Sequence, residues 1–139
     1  MTPRYTVKIG TMLLLVAGLI FCIFGCGSAI KDLGVVFDNP VAAGRPSPSF
    51  STDISPILTE RCAIAKCHVV DGPHDIDLRT YDALIKGGDE GAIVIAGDAR
   101  ESEIVEEIAE GKMPPEGPPL DAAQIQLIID WINEGAKNN

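Results

Sequence analysis

The stretch Cys62–His68, which reads CAIAKCH, decides how this chain is interpreted. It places four residues between two thiols, and an imidazole directly follows the second thiol. Far downstream, Lys112–Pro115 reads KMPP and adds a thioether sulfur. Pro114 disfavours helical backbone at Met113, so the sulfur lies on a stiff, extended segment. Two thiols, an imidazole and a thioether are the groups that hold a covalently attached haem.

The attachment motif for such a haem usually reads Cys-x-x-Cys-His, and the present stretch is two residues longer. In this interpretation Cys62 and Cys67 form thioethers with the haem vinyl groups. His68, beside the second thioether, reaches the iron as one axial ligand. Met113 is the candidate for the opposite ligand, and a His/Met pair is typical of electron-transfer cytochromes c. The sequence therefore predicts one covalent haem c with iron bound by His68 and Met113.

Three alternatives remain open at the level of these residues. Cys62 and Cys67 could form a disulfide that staples a haem-free binding module. Together with His68 and His74 they could bind structural zinc, because thiolate and imidazole are its usual ligands, although the spacing suits zinc poorly. Neither of these accounts for Met113 and its prolines. A haem that serves as a sensor, with an open iron position, is the third alternative.

Residues 1–25 have the pattern of an export signal rather than of a folded domain. Arg4 and Lys8 form a basic head, and the run 9–25 contains no charge. Cys26 follows a small residue at the end of this run, as in a bacterial lipobox, and is the predicted lipidation site. An uncleaved helix or plain secretion is also compatible with the pattern, since about 17 apolar residues is the lower limit for spanning a bilayer. Each version predicts an exported protein on the periplasmic or cell-surface side, and the first two anchor it to the membrane, with the outer membrane among the options.

The exported part is strongly acidic. The whole chain has a net charge of −9, and the two cations of residues 1–25 leave −11 on the remainder. Nucleic acid is a poor partner for such a charge, because phosphate binding needs clustered Lys and Arg. A redox partner protein with a basic docking patch is the predicted partner.

Composition divides the rest into a tether at 26–49, rich in Gly, Pro, Ala and Ser, and a domain at 50–139. Helix signals in this domain cover 53–62, 81–86, the region after Asp98 up to Ala109, and the region after Asp121 up to Gly135. Asp98 with Glu101, and Asp121 with Gln124, have the spacing of capping boxes. A short apolar stretch at 92–95 is predicted to be extended. Short helices with few aromatic residues make a thin core, which a large apolar haem would complete.

The domain resembles the small bacterial c-type cytochrome domain of the planctomycete cytochrome C type. The similar pieces run in order from Phe50 to Ala136, with x for a residue outside the match: DIxPIL before the cysteines, Cys-His, LRxYxxL, GG, IVxxGD, SEI, MPPxGxxL, and IDWIxxGA. The sequence departs from that pattern in its four-residue cysteine spacing and in Ala96, where proline is frequent. The resemblance implies an all-α, cytochrome c-like fold of short helices around one covalent haem, and electron transfer rather than enzymatic catalysis.

Arg79 is a further candidate for haem binding. Haem carries two propionates, and a carboxylate that loses water without gaining a partner is costly. Cations are scarce on the exported domain, and Arg79 stands beside the predicted helix at 81–86. Tyr81 and Lys86 are weaker candidates for the same role.

Overall fold

The computed structural model describes residues 34–37 and 46–139. Within these residues the chain forms four α-helices: α1 Ser55–Arg61, α2 Tyr81–Lys86, α3 Glu103–Ala109 and α4 Ala122–Asn133. A π-helical turn, Phe50–Ile54, precedes α1, and a 3-10 turn, Pro73–Asp75, lies between α1 and α2. The described residues contain no β-strand, only one antiparallel bridge between Gly88 and Gly91. The prediction of an all-α class is confirmed at this level.

Helix α1 leads directly into the first cysteine, as predicted. Pro56 lies in the first turn, where a missing N–H is tolerated. Ile54, Ile57 and Leu58 face inward and are buried. The last turn delivers Cys62 to the core, because its N–H still bonds to the carbonyl of Leu58.

Helix α4 is the central element of the core. Asp121 accepts the N–H of Gln124 at 2.8 Å, and the Gln124 side chain accepts the N–H of Asp121 at 3.1 Å, so the predicted capping box is present. Trp131 is buried, and its ring centroid lies 5.6 Å from that of Phe50. Its indole N–H donates to the carbonyl of Lys137. Helix α4 thus packs against the start of the domain as well as against α3.

Helix α2 forms where the sequence predicts it. The Thr80 side chain accepts the N–H of Ala83 at 3.2 Å and so caps the first turn. Gly87, with φ of 76°, ends the helix in a conformation that favours glycine. Tyr81 turns its hydroxyl to the carbonyl of Ala136, which attaches α2 to the end of α4.

The capping box predicted at Asp98 is wrong. The Asp98 carboxylate accepts the N–H groups of Arg100 and Glu101, which closes a local turn instead of starting a helix. Ser102 then donates its hydroxyl to the Asp98 carbonyl and accepts the N–H of Ile95. These bonds of the buried Ser102 hydroxyl hold residues 98–102 in a non-helical turn, so α3 begins only at Glu103. The predicted extended stretch before it forms no strand, although its Ile93 and Val94 are buried.

Residues 34–37 lie inside the segment predicted to be a tether, and they contact α4. Gln126 accepts the N–H of Val36 at 2.7 Å and donates to its carbonyl at 2.9 Å. Asn133 donates to the carbonyl of Phe37, and the Arg100 guanidinium lies 5.0 Å from the centre of the Phe37 ring. The predicted signal at 1–25 and Cys26 lie outside the described residues. None of the described helices is long and apolar enough to cross a membrane.

Candidate functional site

A cavity of about 280 Å³ opens between the Cys62–His68 loop, helix α3 and the segments on either side of α2. Its inner wall is apolar and consists of Ile76, Leu78, Ile93, Ile104 and Ile108. Cys62, His68 and Met113 also line it. Three of the four residues that the sequence predicts as haem anchors and ligands therefore face one space, although Met113 lies 45 residues beyond His68.

The Cys62–His68 loop is closed on itself by backbone bonds. The His68 N–H donates to the carbonyl of Cys62 at 3.1 Å, and the Cys67 N–H donates to the carbonyl of Ile64 at 2.9 Å. Lys66 has φ of 70°, which gives the loop its tight bend. The longer cysteine spacing is thus absorbed in a compact turn that brings His68 back beside Cys62.

The two cysteines are free thiols in different surroundings. Cys62 is 9 % exposed, and burial raises the pKa of its thiol, an effect that the neighbouring Arg61 partly opposes. Cys67 is half-buried and is not one of the residues that line the cavity. The loop therefore offers one enclosed sulfur at the cavity wall and a second, more accessible sulfur next to His68.

His68 carries the one buried, unpartnered side-chain nitrogen or oxygen atom found among the described residues. This atom is Nδ1, which lies enclosed without a hydrogen-bond acceptor or donor within bonding geometry. Burial lowers the pKa of the imidazole. The backbone of Ile76 raises this pKa, but by less than burial lowers it. The neutral imidazole that results is the form that binds a metal ion. The His68 side chain lines the cavity.

Met113 is held in place by the end of α3. The carbonyl of Glu107 accepts two N–H groups, those of Lys112 and Met113, each at 3.0 Å. The Lys112 ammonium bonds to Glu110 at 2.7 Å and to Glu107 at 3.2 Å, and these two carboxylates raise its pKa. The Met113–Pro114 peptide bond is cis. The thioether thus occupies a loop that is fastened to the same helix that forms one cavity wall.

Arg61 joins the two sides of the site. Its guanidinium donates to the carbonyl of Pro118, which belongs to the proline-rich loop after Met113. The residue just before the first cysteine is therefore linked to the loop of the candidate thioether ligand. Sequence reasoning did not identify Arg61, because a basic residue in the last turn of a helix is usually only solvated.

Arg79, the candidate partner of haem propionates, forms a two-pronged ion pair with Asp77. The distances are 2.9 Å from Nε to Oδ1 and 2.7 Å from Nη2 to Oδ2. This pairing lowers the pKa of Asp77 and raises that of Arg79. Arg79 does not line the cavity, although its neighbour Leu78 does, and its role toward a propionate stays a prediction. Lys86 bonds to Asp75 at 3.1 Å.

The alternative zinc site is not assembled. Among the described residues, the one group of three or more His, Cys, Asp or Glu side chains with ligand atoms close enough to share an ion is His74 with Asp89 and Glu90. The set Cys62, Cys67, His68 and His74 is not such a group. His74 is exposed.

The mouth of the cavity is acidic, a property that sequence reasoning missed. Asp89, Glu90, Glu103 and Glu107 line it, and no Lys or Arg among the described residues does. The signal was present in part, since Glu103 and Glu107 are one helical turn apart and each directly precedes an inward-facing isoleucine, Ile104 or Ile108. The Gly88–Gly91 turn, which carries the other two acids, gives no comparable periodicity.

One family model matches the chain. It is described as Planctomycete cytochrome C and matches residues 65–117. The match includes Cys67, His68 and Met113, and leaves out Cys62 and helix α4. It covers less of the chain than the resemblance noted above, and it supports a cytochrome c-type domain. No curated protein and no solved structure matches the chain.

Proposed function

Since residues 65–117 match a cytochrome c-type family, we propose that this chain is a membrane-tethered monohaem c-type cytochrome that carries single electrons. One observation carries the proposal. Cys62 and His68 belong to one loop, Met113 lies 45 residues further along the sequence, and all three line a single cavity with an apolar wall.

The residues suit a haem in their chemistry. The cavity wall is apolar, as is the face of a porphyrin, and burial lowers the pKa of His68, which favours the neutral imidazole that binds a metal ion. A bound haem supplies one-electron chemistry at its iron. Cys62 and Cys67 would hold the macrocycle through thioethers, and His68 and Met113 would bind the iron. A thioether ligand favours the reduced iron more than a second imidazole does.

The carrier role follows from this ligand set. When His68 and Met113 both bind, no iron position remains for a substrate, so the chain moves electrons without catalysing a reaction. The backbone bonds from Lys112 and Met113 to Glu107 support this reading, because a weak sulfur ligand stays bound only when its loop is held. A five-coordinate iron would instead favour the sensor.

The sequence supports the membrane tether, and the charge of the domain supports the choice of partner. Cys26 is the proposed lipid attachment site, which would hold the domain on the periplasmic or cell-surface side of a membrane. The exported part has a net charge of −11, and acids surround the cavity mouth. A redox partner with a basic patch would dock there by charge complementarity.

The first experiment is absorption spectroscopy of the full chain, produced in a host that matures cytochromes c and purified in detergent. The proposal predicts a sharp c-type α-band after reduction, a matching pyridine haemochrome, and the weak long-wavelength band of Met–iron bonding when oxidised. His68→Ala should abolish the low-spin spectrum, whereas His74→Asn should leave it intact. Met113→Ala should remove the weak band and lower the potential.

Two outcomes would refute parts of the proposal. A chain without haem from that host would overturn the cytochrome assignment. A Met113→Ala variant with unchanged spectrum and potential would show that Met113 is not the ligand, and would leave the haem assignment standing.

A further inference from the structure

Three potential metal ligands meet at the mouth of the cavity. One ligand atom from each of His74, Asp89 and Glu90 lies within 4.8 Å of the others, and His74 Nδ1 is 4.0 Å from Asp89 Oδ1. All three side chains are exposed and line the cavity. They are separate from the residues proposed to hold the haem.

Two loops are joined at this point by their backbones. The Asp89 N–H donates to the carbonyl of His74 at 2.9 Å. Gly88 allows this approach, because a Cβ there would lie 2.3 Å from that carbonyl and 2.6 Å from Ile76. The backbone positions of the three ligand residues are therefore fixed relative to one another before any ion arrives.

The carboxylates occupy the middle of a closed turn. Gly88 and Gly91 exchange backbone bonds of 2.9 Å and 3.2 Å, and Asp89 and Glu90 lie between them. Both side chains consequently leave the same tight turn, which opens toward His74. Lys86, which ends α2 just before this turn, bonds to Asp75.

We propose that His74, Asp89 and Glu90 form a binding site for a divalent transition-metal ion of the zinc class. One imidazole nitrogen and two carboxylate oxygens are a ligand set that zinc and its neighbours in the first transition row accept. Three protein ligands leave the remaining coordination positions to water. Coordination requires a small rotation of these exposed side chains, so that all three ligand atoms reach about 2.0–2.2 Å from one ion.

The electrostatics of the cavity mouth favour a cation at this place. Glu103 and Glu107 add to the negative charge of the two ligand carboxylates. Repulsion among these acids falls when a doubly charged ion binds between them. Magnesium and calcium are weaker candidates, because they prefer oxygen ligands throughout.

The test is zinc titration of the full chain by isothermal calorimetry in detergent. The haem-loaded protein is first treated with iodoacetamide, so that no free thiol competes for zinc. We expect one saturable site. His74→Asn and Asp89→Asn should each weaken binding about tenfold or more, since loss of even an outer-shell partner weakens metal sites by about 10–100-fold. Asparagine suits position 74, where φ is 56°.

Asp82→Asn is the matched control, because Asp82 is exposed on α2 and does not line the cavity. It should leave the affinity within about twofold of wild type, given that loss of a true ligand costs about tenfold or more. The proposal is overturned by absence of binding at zinc concentrations up to about 1 mM. It is equally overturned if His74→Asn and Asp89→Asn bind zinc as tightly as Asp82→Asn does. Should the chain take up no haem, the same titration of the alkylated haem-free chain decides the zinc site separately.

Discussion

The two thiols should differ in reactivity in the haem-free chain. Burial raises the pKa of Cys62, so at pH 8 less of this thiol is the reactive thiolate than of an ordinary cysteine. Burial also limits the access of a reagent to the Cys62 sulfur. Cys67 is half-buried. We therefore expect iodoacetamide to label Cys67 several-fold faster than Cys62, as followed by peptide mass spectrometry. The difference should shrink as the pH rises toward the raised pKa.

Urea supplies the control for this prediction. Unfolding removes the burial that distinguishes the two sulfurs, so both should then react at similar rates. Equal rates in the folded chain, with helical circular dichroism intact, would contradict the enclosed position of Cys62.

The residues proposed to hold the haem could be identified from the sequence more readily than their surroundings could. Cys62, His68 and Met113 follow from residue type and spacing, and the structure places all three around one cavity. Arg61 and its bond to Pro118 could not be predicted, because the contact joins residues 57 positions apart through a backbone carbonyl. A carbonyl acceptor has no signature in the amino-acid sequence.

At the scale of the helix, Asp121 should matter more than Glu101. Asp121→Ala removes a cap that satisfies the N–H of Gln124 at the start of α4, and should cost about 1 kcal/mol of unfolding free energy. Glu101→Ala should cost less than about 0.5 kcal/mol, since its side chain is exposed and completes no box. Urea denaturation followed by circular dichroism measures both. Equal losses would mean that the turn at Asp98 behaves as a helix cap in solution.

The same two sites show where pattern reasoning about helices stops. Asp98-x-x-Glu101 and Asp121-x-x-Gln124 have equal claims to be capping boxes by spacing alone. What separates them is Ser102, whose buried hydroxyl bonds to the backbone at Asp98 and Ile95. This arrangement depends on tertiary burial, which helix periodicity does not describe.

At the scale of the molecule, two hydrogen bonds from the Gln126 side chain hold residues 34–37 against α4. Gln126→Ala removes both hydrogen bonds to Val36. The backbone amide of Val36 should then exchange with solvent markedly faster in hydrogen-exchange mass spectrometry. Gln124→Ala changes the same residue type on the same helix without touching residues 34–37, and should leave that exchange unchanged. Identical exchange in both variants would show that Gln126 does not hold the segment.

The charge of the whole molecule should govern its electron transfer. With a net charge of −11 on residues 26–139, the protein should attract a small cationic oxidant and repel a small anionic one. Raising the ionic strength from 0.01 M to 0.1 M shortens the Debye length from about 30 Å to about 10 Å. Stopped-flow oxidation of the reduced protein should therefore slow several-fold with the cation and accelerate with the anion.

Two variants of equal net charge locate the attraction. Glu103→Gln removes an acid that lines the cavity mouth, whereas Glu60→Gln removes an exposed acid on α1 that does not. If oxidants approach the haem through this mouth, Glu103→Gln should slow the cationic reaction more at low salt, and the two variants should converge at high salt. If both variants slow the reaction equally, only the net charge of the protein matters. The acids at the cavity mouth would then not guide the oxidant to the haem.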